Sequence, residues 1–128
     1  MFKNNLVPLA DSALNKKSMK VDTKGHTTII KDTEGDVAAF LVKVSSQHPT
    51  FKDHNLILDI SHDNTVDVEA IKTFTDLSET HKNGKKSFVI VAENIDFNDV
   101  PDSLIVVPTL LEAHDMIEME EIERDLGF

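Results

Sequence analysis

The residues best suited to chemistry lie in one stretch, Ser61-His62-Asp63-Asn64-Thr65-Val66-Asp67-Val68-Glu69, directly after an apolar run at 55–60. An imidazole among carboxylates suits zinc, manganese or iron. His62, Asp63 and Asp67 would then serve a metal-dependent hydrolase, with Glu69 close by. The spacing matches no strong metal motif, for there is no H-E-x-x-H sequence and no paired-histidine cluster. His26, His48, His54, His81 and His114 are scattered singly. Ser61 beside His62 carries little weight, because catalytic triads are assembled from distant segments. There is no glycine-framed nucleophile elbow and no P-loop, and the whole chain holds four glycines and no cysteine. We therefore expect no catalytic residue, no metal and no cofactor. The plainer reading is a strand end and a helix start. Asn64 or Thr65 caps the helix, and Asp67 and Glu69 occupy its first turn, where the positive end of the helix dipole favours them.

Regular pattern in the chain begins at Met19. The segment MKVDTKGHTTIIKD reads as two short strands turning at Lys24-Gly25. Next, Val37, Phe40, Leu41 and Val44 recur at helical spacing, with Thr33 and Asp36 resembling a capping box. Pro49 predicts the end of that helix at or before His48. Three continuous apolar runs, NLILDI, SFVIVA and SLIVV, read as strands covered on both faces. Between the first two, Ala70, Ile71, Phe74, Leu77 and His81 share one side of a helix, and Gly84 is its expected stop. The expected fold is α/β: a single domain over 19–128, its central sheet mostly parallel, with an N-terminal hairpin and helices packed against it.

The last helix carries its apolar residues on two sides. Leu110, Ala113 and Ile117 line one, while Met119, Ile122 and Leu126 lie about 180° away. Either the helix kinks near Ile117, or its end, with Phe128, offers a second stripe to a partner or to a second copy. Residues 1–18 show neither alternation nor a helical stripe and read as a flexible extension.

Composition narrows the classes of partner. The chain has 128 residues, enough for one domain, and a formal net charge of −10. Such a surface repels phosphate backbones and makes duplex nucleic acid a poor partner, whereas a protein with a basic surface suits it. No apolar run approaches the ~20 residues of a membrane span, and the N-terminus lacks a secretory core, so a cytoplasmic chain without a membrane partner is expected.

The order of hairpin, helix, NLILDIS, acidic loop, helix, GKKSFVIVAEN and SLIVVPTLLEA resembles the STAS domain of anti-sigma factor antagonists over about 19–128. In that family a buried strand leads into an Asp-Ser-Ser-Gly loop at a helix N-terminus, and a partner kinase phosphorylates the first serine. The matching positions here are Asp67, Val68, Glu69 and Ala70. The aspartate is kept, the phosphoacceptor place holds Val68, and Glu69 adds a fixed negative charge one position later. The resemblance thus implies a regulatory module without the switch. The chain also resembles short bacterial proteins that bear the name ribonuclease Z, yet it lacks the H-x-H-x-D-H zinc motif of that enzyme beyond the fragment His62-Asp63.

These readings favour a non-catalytic protein-interaction module. Its expected contacts are Thr65, Asp67, Val68 and Glu69, extended by Met119, Ile122 and Leu126 on the acidic last helix. The alternatives are the metal-dependent hydrolase at His62, Asp63 and Asp67, and a self-associating module that dimerises through the last helix.

Overall fold

Strand alternation here sorts apolar side chains onto two faces of one sheet, and each face acquires its own helical cover. The computed structural model describes residues 19–127; the flexible extension expected at 1–18 and the contribution expected from Phe128 lie outside them. Strands β1 (Met19–Lys24) and β2 (Thr27–Asp32) form an antiparallel hairpin with Met19 opposite Asp32 and Lys24 opposite Thr27. Gly25 supplies the positive φ of its turn, at +60°. β2, β3 (Asn55–Asp59), β4 (Phe88–Val91) and β5 (Ile105–Val107) run parallel, and the sheet order is β1-β2-β3-β4-β5. The fold is therefore mixed α/β with a mostly parallel five-stranded sheet, as the apolar runs predict.

On one face Ile30, Leu56, Leu58, Phe88 and Ile90 meet Val37, Phe40, Val44 and Phe51 of α1 (Val37–Phe51). Ile71 of α2 (Val68–Lys72), Leu77 of α3 (Thr75–Asn83) and Phe74 between them complete that core. The opposite face, with Ile57, Val89 and Val91, is covered by Ala113 and Ile117 of α4 (Leu110–Asp125). β3 and β4 are buried throughout, which explains their unbroken apolar runs, whereas edge strand β5 is half-buried. No helix among the described residues is long and apolar enough to cross a membrane.

Several boundaries differ from expectation for identifiable reasons. α1 runs through Pro49 to Phe51. The proline withdraws one donor from the last turns, where Ser45 is exposed and water can satisfy its carbonyl. Burial of Phe51 contributes about 1.5–3 kcal/mol in compensation. The α1 cap is Asp36, which accepts the Ala39 N–H at 3.1 Å, and not Thr33. Buried Asp32 takes the neighbouring amides of Glu34 and Asp36, at 3.0 and 3.1 Å.

The helix expected between β3 and β4 is two helices. At Thr73 and Phe74 the backbone tightens to bonds with Ala70 and Ile71, three residues back. The hydroxyls of Thr73 and Thr75 also donate to the carbonyls of Ala70 and Lys72, competing with the helical ladder. Gly84 does end α3, although the left-handed residue is Lys85, with φ 66°.

Candidate functional site

Parallel strands carry their chain into loops at the carboxyl edge of the sheet, and the stretch 61–69 lies there, beyond β3. Its polar groups are engaged locally. Asp59 accepts the N–H and hydroxyl of Ser61, at 3.0 and 2.6 Å. Asp63 accepts those of Thr65, at 2.9 and 2.6 Å. Val66 is buried, which leaves Asp67 as the last extended residue before α2. The N-cap is consequently Asp67, accepting the Ala70 N–H at 2.9 Å, in place of Asn64 or Thr65. Val68 is half-buried at the first helical position, and exposed Glu69 pairs with Lys72 at 3.0 Å.

His62 is exposed and its ring lies beside Gly35 in the loop before α1. Asp63 and Asp67 are thus occupied as turn and cap acceptors. Among the described residues no group of three or more His, Asp or Glu side chains is placed to hold a metal ion. The hydrolase set His62, Asp63 and Asp67 does not converge.

The second expected surface is α4, one continuous helix with no break at Ile117. Ala113 and Ile117 are buried against the sheet, while Leu111, Met119, Ile122 and Leu126 are 72, 57, 52 and 66% exposed. At 3.6 residues per turn these four fall within about 80° of one another, opposite the docked side. Leu110, expected on the docked side, is 39% exposed.

A polar network fixes the far half of α4. Asn55 donates to Glu121 at 2.9 Å and accepts the Ser87 N–H at 2.9 Å, while the Ser87 hydroxyl donates to Glu120. Arg124 donates to Ser87 at 3.2 Å and to Asn55 at 3.4 Å. Glu120, Glu121 and Arg124 therefore hold the helix to the amino ends of β3 and β4. Of the seven acidic residues in 112–125, Glu112, Asp115, Glu118, Glu123 and Asp125 are left facing solvent. This anchoring also separates the two expected surfaces. Thr65–Glu69 sits at the carboxyl edge, before the helices of one face, whereas Met119, Ile122 and Leu126 lie toward the amino edge on the other.

The structure also joins residues that the sequence leaves scattered. His48 Nε2 and His81 Nδ1 are 2.8 Å apart, and His81 Nε2 meets the His54 carbonyl at 2.7 Å. His54 Nδ1 lies 2.8 Å from the Thr28 hydroxyl. A carbonyl only accepts, so His81 carries its proton on Nε2, and its Nδ1 accepts from His48. Burial lowers the His81 pKa to about 4, with His48 and Lys86 adding to the effect and the His54 carbonyl opposing it. Burial and then the Lys52 charge lower that of His48. The one advance signal was His81 on the apolar side of its helix, since a buried polar ring requires a partner.

The sequence matches no protein-family model and no curated protein closely enough to show a relationship.

Proposed function

We propose that the protein is a non-catalytic interaction module, a divergent STAS-like domain that has lost its phosphoacceptor, and that α4 supplies its main contact surface. The observation that carries this reading is the exposed stripe Met119, Ile122 and Leu126, with Leu111 two turns away beyond Asp115, set on a helix whose opposite side is already docked and pinned. Contiguous exposed apolar surface rimmed by charge marks sites of association. The rim here is acidic, so the favoured partner presents apolar residues among basic ones. A second copy of α4 fits less well, because it would bring two acidic rims together.

The loop Thr65–Glu69 is a separate, secondary surface in this reading. Val68 offers no hydroxyl, and Asp67 and Glu69 give the start of α2 a permanent negative charge that partly stands in for a phosphate. Affinity capture from the native cell, with wild type, Ile122→Glu and Glu69→Lys compared at low and high salt, tests the assignment. The expected result is a discrete partner lost with Ile122→Glu and at high salt, and only weakened by Glu69→Lys. A partner retained by Ile122→Glu and lost with Glu69→Lys would move the contact to the loop.

A further inference from the structure

Two imidazoles from distant turns close on each other at the amino edge of the sheet, where α1 leads into β3 and α3 into β4. His48 lies in the last turn of α1 and His81 in the last turn of α3. His48 Nε2 and His81 Nδ1 are 2.8 Å apart, with the rings edge to face at 72°. His81 is 1% exposed, its other nitrogen donates to the His54 carbonyl at 2.7 Å, and its ring centroid lies 6.0 Å from that of Phe88. Between the facing nitrogens there is room for one proton only. In the neutral pair His48 Nε2 carries it and His81 Nδ1 accepts. A first added proton goes to His48 Nδ1 and leaves that bond in place. A second must go to His81 Nδ1, where it meets the His48 N–H head on. The rings then lose their bond and repel as like charges.

We propose that the His48–His81 contact is an acid-released latch between the ends of α1 and α3, closed while the pair is neutral or singly charged and opened when both rings are imidazolium. This inference is independent of the α4 contact surface, which lies on the other face of the sheet. The end of α1 is suited to move, because Pro49 leaves its last turns one backbone bond short. A cleft of about 450 Å³, lined by Pro49, Lys52, Asp53, Thr80 and the two imidazoles among others, gives water a path to the pair. The groups around the pair set where release falls. Lys52 at the end of α1 and Lys86 ahead of β4 disfavour added positive charge, while Asp53 on the cleft wall carries the opposite charge. α3 presents uncharged Thr80 and Gly84 to the cleft, and β4 presents the Phe88 ring to His81. His54 tolerates a proton, since its Nδ1 faces the Thr28 hydroxyl at 2.8 Å, which accepts as well as donates. Burial, ahead of these charges, lowers the His81 pKa from 6.5 to about 4. The open state therefore binds more protons than the closed one between those values. The latch is closed above pH 6.5 and loses its hold as the pH falls toward 4.

Residue-resolved hydrogen exchange of the full chain at pH 7 and pH 4, corrected for intrinsic rates and joined to nitrogen-15 spectra of the imidazoles, tests the latch. Wild type should lose protection about tenfold or more in the last turns of α1 and α3 on acidification, while the amides of α4 keep theirs. The spectra should show His48 charging first and His81 charging together with the loss of protection. Replacing His81 disturbs the buried core, so the half-buried partner carries the variant. In His48→Gln the side-chain amide can donate to a neutral His81 or, turned over, accept from a charged one, and the loss should be several-fold smaller. Unchanged protection in wild type, an equal loss throughout α4, protection lost while His81 stays neutral, or the full loss in His48→Gln would each overturn the proposal.

Discussion

At Asp67 a single carboxylate decides where α2 begins, since it accepts the Ala70 N–H at 2.9 Å from an extended backbone. Asp67→Ala should therefore cost about 1 kcal/mol in urea unfolding, and Asp67→Asn, which keeps an acceptor, should cost less. Equal stability of all three proteins would mean that the cap contributes nothing. The helix start is legible in the sequence, but its cap is not, because Asp63, Asn64, Thr65 and Asp67 are all competent caps. Burial of Val66 makes the choice, and that depends on the packed core rather than on local propensity. Asp32 and Asp36 repeat the lesson before α1, where a buried carboxylate gathers the loop amides and leaves Asp36 to cap. The pairing of His48 with His81 is less legible still: no local rule links two turns that meet only when both helices pack on the same sheet face.

At the scale of the element, α4 has one side docked on the sheet and another that the proposed function assigns to association. Ile117 is 3% exposed and Ile122 52%, although they are five residues apart on one helix. Ile117→Ala should lose about 2–5 kcal/mol by emptying a packed contact. Ile122→Ala should stay within about 0.5 kcal/mol of wild type in the same unfolding experiment. Comparable losses at both positions would mean that the second stripe also packs within the chain. The two stripes are visible in the sequence from periodicity alone. Their fates are not, because a kinked helix and a half-docked straight one share the same pattern. What separates them is the network that joins Glu120, Glu121 and Arg124 of α4 to Asn55 and Ser87, which lie far away in sequence.

At the scale of the molecule, among the described residues, the sheet is clad by α1, α2 and α3 on one face and by α4 on the other. The continuous apolar runs predict this two-sided cover, and the element order predicts the parallel strands. The relative position of the two candidate surfaces follows only from the direction α4 takes back across the sheet. With a net charge of −10, association through α4 should be fast with a basic partner and should weaken with salt. The most direct measurement of that claim is photo-crosslinking in native cells from a reactive side chain at Met119, compared with one at Val42. Val42 is 68% exposed on α1, across the sheet from α4. The account predicts a discrete adduct from position 119, lost when Ile122→Glu is added, and none of that mass from position 42. No adduct from position 119, or the same adduct from both positions, would contradict it.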